Sequence, residues 1–168
     1  MANGLIKDDL KKFLDEKYQE YNNVKFIEDD PIQIPHLFTN RKDIEIAGFL
    51  TSIISWGNRK SIINNAKKMM NLLDNSPYDF IKNCKDSEIN KLKFVHRTFN
   101  SIDFQFFLYS LKNIYSRNES MEDVFLDGDS NFMFDGIINF RKIFFSVDHE
   151  IRSQKHISNP LKNSCCKR

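Results

Sequence analysis

Apolar residues recur along most of the chain at the three- and four-residue spacing of an amphipathic helix. The first such stripe predicts a helix from Leu5 to Tyr21, with its apolar positions at Leu10, Phe13, Leu14, Tyr18 and Tyr21. The stretch from Asp29 to Pro35 holds two prolines and no helical period, which predicts an extended connection.

The most apolar stretch runs from Arg41 to about Trp56 and predicts a helix that Asn40 caps and Gly57 ends. Because it is apolar on more than one face, we expect it to be buried on most sides. A further helix is predicted from about Arg59 to Asp74. The core positions expected from these two helices are Ile44, Leu50, Ile54 and Ile63.

Shorter periodic segments complete the pattern. They predict helices over Pro77 to Cys84, Ile102 to Tyr115 (capped by Ser101), Met121 to Leu126 and Phe132 to His149, with a loop over Asp127 to Asn131. The fold class expected is therefore all-α, a compact multi-helix bundle, with residues 1–168 forming a single helical domain.

Composition supports this interpretation and narrows the function classes. Five glycines and four prolines favour long helices over many short strands. No apolar run approaches the length of about 20 residues that spans a bilayer, and residues 1–11 lack the apolar stretch of a secretory signal. The three cysteines and four histidines show no metal-ligand spacing, and no glycine-rich phosphate loop is present. We expect a cytoplasmic protein without a membrane segment, a metal or a small-molecule cofactor.

Charge is unevenly distributed along the chain. Residues 151–168 hold five of the 25 Lys and Arg residues and no acidic residue, which leaves 20 basic and 23 acidic residues in 1–150. This basic tail is either a nucleic-acid contact or a solvated end, and charge alone favours the solvated end. Since little apolar surface remains there, we expect residues after about Ser153 to be poorly packed.

Three local patterns are candidates for chemistry. The Trp56 to Lys60 turn would present Asn58 outward at the start of a helix, where backbone amides attract phosphate; as an ordinary helical corner, it would need only Gly57 and a polar cap. His96-Arg97 lies between Phe94 and Phe99 and would suit base stacking or phosphate binding, although support of the next helix is the favoured interpretation. A lysine near a helix start in the tail would suit an amine nucleophile, but surface lysines are commoner.

Three stretches together resemble an uncharacterised bacterial family, domain of unknown function 2400. They are Lys42 to Leu50 running into Ser55 to Lys60, Phe94 to Asn100, and Asn159 to Arg168. That family is in turn distantly similar to the helix-hairpin-helix DNA glycosylases, in which an apolar helix ending in a small polar turn faces the DNA near the vacated base.

The resemblance implies a DNA-binding, base-excision glycosylase/lyase-like domain with duplex DNA as its partner. Residues 151–168 resemble the start of the hairpin element, which would place Lys167 at the position of the lysine that attacks the sugar. The nucleic-acid-binding residues implied by these motifs are Asn58, Arg59, Lys60, Lys162 and Arg168.

The pattern of the family continues beyond the last residue of this sequence. There the Lys-Arg pair leads into another apolar helix, with an assisting aspartate beyond it, so the 168 residues resemble an incomplete domain and are expected to be inactive alone. The alternative is a non-catalytic helical interaction module that keeps the fold without the chemistry.

Overall fold

The computed structural model describes residues 2–126, 133–162 and 164, with side chains from residue 7 onward. Within these residues all regular structure is helical, apart from one isolated β-bridge between His96 and Phe99. The α-helices are α1 (Ala2–Tyr21), α2 (Val24–Asp29), α3 (Arg41–Ile54), α4 (Arg59–Leu72), α5 (Pro77–Asn83), α6 (Asp86–Ile89), α7 (Ser101–Tyr115), α8 (Met121–Leu126) and α9 (Met133–Phe144). Short 3-10 helices span Pro31–Gln33, Pro35–Leu37, Ile151–His156 and Pro160–Lys162. The predicted all-α fold is confirmed.

The connection predicted to be extended over Asp29 to Pro35 is instead helical. It contains the end of α2 and two 3-10 turns, each of which begins at a proline. A proline suits the first helical position because its missing N–H would have no intrahelical partner there. The side chain of Asp30 accepts a hydrogen bond from Ile32 N at 3.0 Å and so caps the first turn.

The start of α7 differs by one residue from the prediction. Asn100, rather than Ser101, caps this helix, since its Oδ1 accepts from the backbone N–H groups of Ile102 and Asp103, both at 3.1 Å. The hydroxyl of Ser101 instead bonds the backbone of Phe94, which fixes the preceding turn against the helix. The loop predicted over residues 127–131 lies outside the described residues.

Helix α3 supplies much of the core. Leu50 and Ile54 are buried as predicted, Leu50 with 1% of its surface exposed. The prediction for Ile44 is wrong, because its side chain is 39% exposed, and Ile63 in α4 is only half-buried. Ile44 lies about 200° around the helix from the buried Ile46, and this face borders a groove rather than the core.

Two carboxylates of α3 fix the starts of other helices. Asp43 accepts a hydrogen bond from the backbone N–H of Tyr78, in the first turn of α5, at 2.8 Å. Glu45 accepts from the backbone N–H of Met121, the first residue of α8, at 2.8 Å, and from the Tyr115 hydroxyl at 2.9 Å. A carboxylate at a helix start satisfies a free N–H and complements the helix dipole. Helix α3 therefore orients α5 and α8 as well as filling the core.

Phenylalanine rings join α3, α7 and α9. Phe144 of α9 is fully buried, and its ring centroid lies 4.9 Å from that of Phe107 and 5.5 Å from those of Phe49 and Phe106. All three pairs meet edge to face, the arrangement that aromatic quadrupoles favour. This cluster holds α9 against the central helices.

The prediction of poor packing after Ser153 is wrong for the residues described. Ser153 and Pro160 are buried, and the His156 ring packs edge to face on Phe99 with centroids 5.0 Å apart. Arg141 of α9 donates hydrogen bonds to the backbone carbonyls of Ile157 and Ser158. Polar contacts to the helices therefore act together with the packing of His156, Ile157 and Pro160, and the low apolar content of the segment does not reveal these contacts.

Truncating a side chain to alanine should lower the free energy of unfolding by different amounts on the two faces of α3. Leu50→Ala should lower the free energy of unfolding by about 2–5 kcal/mol, because it opens a cavity in the core. Ile44→Ala, on the exposed face of the same helix, should cost less than about 1 kcal/mol. Urea denaturation of both variants measures the difference, and equal losses would contradict the placement of Ile44 outside the core.

Candidate nucleic-acid interface

The turn between α3 and α4 has a backbone that only glycine adopts easily. Gly57 has a φ of 104°, in the region that side-chain-bearing residues rarely occupy. Asn58 follows, and its Oδ1 accepts a hydrogen bond from Ser61 N at 3.0 Å, which caps α4. The turn exposes Arg59 and Lys60 in the first turn of that helix.

A second turn, over residues 96–99, brings Arg97 to the same place. The backbones of His96 and Phe99 exchange two hydrogen bonds, of 2.8 and 3.0 Å, and Arg97 between them has a φ of 56°. Its guanidinium carbon lies 4.0 Å from the centroid of the Trp56 ring, a cation–π contact. A Cβ at Gly57 would collide with Arg97 Nη1, so the glycine is what allows the stack.

The charges on this surface are mostly basic. Arg97 is exposed, and no carboxylate of the described residues lies within ion-pair distance of its guanidinium. Arg59 makes only a long ion pair, 3.6 Å, with Asp30 and lies over the ring of Phe26. Because this pair is long and the Arg59 side chain is exposed to solvent, Arg59 keeps most of its capacity to bind an anion.

A groove of about 730 Å³ lies beside the Trp56–Arg97 stack. One wall is the exposed face of α3, the other is the pair of 3-10 turns after α2, and Trp56, Gly57 and Arg59 border one end. Apolar walls come from Pro31, Ile32, Pro35, Ile44 and Ile62. The volume is in the range of sites that bind small organic groups.

One polar group in the groove has no hydrogen-bond partner. Thr51 is 3% exposed, and its hydroxyl oxygen bonds no protein atom. The neighbouring hydroxyls are used: Ser55 donates to the Thr51 carbonyl and Ser52 to the Phe49 carbonyl, both at 2.7 Å. Buried hydroxyls are normally satisfied, so this one is available to a bound group or a water molecule.

His96, next to Arg97 in the chain, is a buried histidine of the same turn. Its imidazole is buried beneath the turn, and Nε2 has no hydrogen-bond partner. Burial lowers the pKa of His96, the adjacent Arg97 charge lowers it further, and the backbone of Trp56 opposes both effects. The ring is therefore neutral at pH 7 and adds no charge beneath the guanidinium.

Asp103 ties the same turn to the C-terminal segment. Its carboxylate is 0% exposed and accepts from the Ser153 hydroxyl at 2.6 Å, Arg152 Nη1 at 3.0 Å and Asn100 N at 3.0 Å. Burial acts to raise the pKa of Asp103, but these hydrogen bonds and the nearby charges outweigh it and hold that pKa below its ordinary value. His156 Nε2 lies 3.2 Å away, and burial lowers the pKa of this imidazole despite the carboxylate.

The residues predicted to bind nucleic acid fall into two groups. Asn58, Arg59 and Lys60 share one turn, although the side chain of Asn58 is engaged as a cap. Lys162 is exposed in the 3-10 turn Pro160–Lys162, which packs against α9. Arg168 and the predicted nucleophile Lys167 lie outside the described residues, so their roles stay predictions.

Sequence reasoning gave Arg97 a supporting role and did not single out Thr51. The signal for Arg97 was its place between two aromatics, but its stacking partner, Trp56, lies 41 positions earlier in the chain. Thr51 gives no signal, because a threonine in an apolar helix normally bonds the backbone of the preceding turn.

Two further features, a membrane-spanning helix and a metal site, are absent from the described residues. No helix there combines the length and apolar character needed to cross a bilayer. No three His, Cys, Asp or Glu side chains come close enough together in this part of the chain to hold a metal ion.

Comparison with known proteins identifies the family of the chain. The model of a family described as "Protein of unknown function (DUF2400)" matches residues 30–168, most of the chain. No curated protein and no solved structure matches the chain significantly. The match begins at Asp30, so it includes the groove, both turns of the Trp56–Arg97 stack and the C-terminal segment.

Gly57→Ala should disturb the stack and lower stability together. The added Cβ meets Arg97 Nη1 and forces a positive φ on alanine, so we expect a loss of about 1–3 kcal/mol and a change in Trp56 fluorescence. Gly48→Ala in α3 is the matched control, because its Cβ would make only an ordinary contact, 3.8 Å, with Pro35. Equal stability of the Gly57→Ala protein and the parent would contradict the steric role of this glycine.

Proposed function

We propose that this chain, which belongs to the family described as a protein of unknown function, is a DNA-binding domain of the base-excision glycosylase type. The family description assigns no function, so the proposal is argued from the geometry of the site. The duplex backbone contacts Arg97, Arg59 and Lys60, and the neighbouring groove receives a base displaced from the duplex. The observation that carries the proposal is the exposed guanidinium of Arg97 held flat on Trp56 at 4.0 Å.

The stacked arginine has properties that suit phosphate. Its planar donors are held in place by the ring, so less side-chain freedom is lost when an anion binds. It has no carboxylate partner among the described residues, and two neighbouring basic side chains are exposed on the adjoining turn. Two residues with positive φ, Gly57 and Arg97, maintain the arrangement, and such backbone conformations cluster at functional sites.

The groove has properties that suit a base. Its apolar walls match the faces of a planar ring, and the Thr51 hydroxyl supplies a hydrogen-bonding group that no protein atom uses. Displacing a base from the stack costs about a few kcal/mol, least at a mismatched or damaged position. Selectivity for lesions would therefore follow from a groove that accepts only displaced bases.

A specific observation supports the alternative, a non-catalytic helical interaction module. Helix α1 carries an apolar stripe that the rest of the described chain leaves uncovered, with 49–61% exposure at Leu10, Phe13, Leu14, Tyr18 and Tyr21. Stripes of this kind mark contact surfaces for proteins. This helix precedes the part of the chain that the family model matches.

If the chain binds DNA at this surface, a duplex should change the fluorescence of Trp56, and the binding should weaken as salt is added. Trp56 is the only tryptophan of the chain, so its fluorescence reports the groove directly. Titration with a duplex carrying an abasic site opposite a purine should quench Trp56, and the logarithm of the affinity should fall by about 0.9 per log of salt for each phosphate contact. Arg97→Gln should weaken binding by about fivefold and reduce the salt slope by about 0.9.

Arg117→Gln is the matched control for this titration. Arg117 is also exposed, but it follows the C-terminal end of α7, about 24 Å along that helix from the turn that carries Arg97. It should leave both affinity and salt slope unchanged. Binding without salt dependence, or equal losses in the two variants, would remove the support for this surface, and an absence of DNA binding would favour the interaction module.

The resemblance assigns the nucleophile to Lys167, and trapping chemistry tests that role. An amine that attacks the sugar forms a Schiff base, which borohydride reduces to a stable adduct. Borohydride treatment of the chain with an abasic duplex measures whether such an adduct forms. An adduct lost in Lys167→Ala but kept in Lys162→Ala would show that this chain is itself catalytic.

A further inference from the structure

The tip of the turn that presents Arg97 has few restraints of its own. The two hydrogen bonds between the His96 and Phe99 backbones close it, but Arg97 and Thr98 at its tip are exposed. Arg97 also occupies the left-handed region at a φ of 56°, where a side-chain-bearing residue is less stable than in the usual helical region. The ends of the turn are buried at His96 and Phe99, so a contact from outside the turn acts mainly on its exposed tip.

Arg152 supplies that contact. Its Nη2 donates to the backbone carbonyl of Thr98 at 3.1 Å, one residue from Arg97, while its Nη1 donates to the Asp103 carboxylate at 3.0 Å. The guanidinium therefore bridges the tip of the turn and the buried Asp103 carboxylate in the first turn of α7. Its fork of donors suits this geometry, because both bonds form from one planar group.

Asp103 is the fixed end of this bridge. The carboxylate is inaccessible to solvent and also binds Ser153 and the start of α7, so it cannot follow a movement of the turn. Arg152 and Ser153 both belong to the 3-10 helix Ile151–His156, and that helix leads to the basic turn that contains Lys162. The conformation of the Arg97 turn and the docking of the C-terminal segment therefore depend on the same carboxylate.

We propose that Asp103 and Arg152 are positioning residues that couple the docking of the C-terminal segment to the stacking of Arg97 on Trp56. When the segment is docked, Arg152 holds the Thr98 carbonyl and the Arg97 guanidinium remains over the ring. A ligand that binds the stack then stabilises the docked segment, and docking raises affinity for that ligand by the same factor. The part of this inference that concerns DNA rests on the proposed function, whereas the coupling itself does not.

The coupling is tested on the chain alone by the accessibility of Trp56 to acrylamide. Arg152→Met keeps the aliphatic stem and removes both donors, and it should raise the quenching constant of Trp56 by about twofold, as Arg97→Gln should. The double variant should be no more accessible than Arg97→Gln alone, because both changes act through the same stack. Arg117→Met, an exposed arginine without this bridge, should leave the quenching unchanged.

A merely structural role for Arg152 predicts a different pattern. It would lower the melting temperature without changing Trp56 accessibility at temperatures where the chain is folded, or it would add to the effect of Arg97→Gln. Either result overturns the proposal. Asp103→Asn provides a second variant that keeps the shape of the side chain and removes its charge, and it should increase both Trp56 quenching and amide exchange in residues 151–162.

DNA binding separates failure of this inference from failure of the proposed function. If both hold, Arg152→Met weakens binding of the abasic duplex about as much as Arg97→Gln does, and it has no further effect in the double variant. If the chain binds no DNA but the quenching pattern is found, the coupling stands and the proposed function fails. If DNA binds and Arg152→Met changes neither quenching nor affinity, the coupling is wrong.

Discussion

The burial of α3 is the constraint on which the rest of the structure depends. Its core face carries Ile46, Leu50 and Ile54, and the helices that pack on this face exclude water from those side chains. The same helix also fixes the positions of α5 and α8, because Asp43 and Glu45 accept hydrogen bonds from the first turns of those helices. One face remains uncovered, and that face forms a wall of the groove.

The candidate interface follows from where α3 stops. The chain turns at Gly57, which has a positive φ and no side chain. Trp56, just before this turn, lies at the rim of the groove. Arg97 reaches the Trp56 ring from a turn that is distant in the sequence. A larger residue at position 57 would occupy the space of the guanidinium. The glycine therefore serves two purposes, ending the helix and admitting the arginine, and only the first is a common role of glycine.

Polar contacts add to apolar packing in ordering the C-terminal segment. Asp103 is deeply buried, yet it is stabilised as a carboxylate because a hydroxyl, a guanidinium and a backbone N–H all donate to it. A buried charge tolerates removal of its partners poorly. The segment Ile151–His156 thus docks in one register, and the Arg97 turn is tied to it through Arg152.

The sequence by itself determined the helical class and most helix positions, because apolar spacing and caps such as Asn40 act over a few residues. It also placed Asn58, Arg59 and Lys60 on one exposed turn. Which face of a helix is buried was less predictable from the sequence. Ile44 and Leu50 are both apolar, and only the packing of neighbouring helices decides which of the two is covered. The Trp56–Arg97 stack and the bridge that Arg152 makes from Asp103 to Thr98 join residues 41 to 54 positions apart, so only the tertiary structure brings them together.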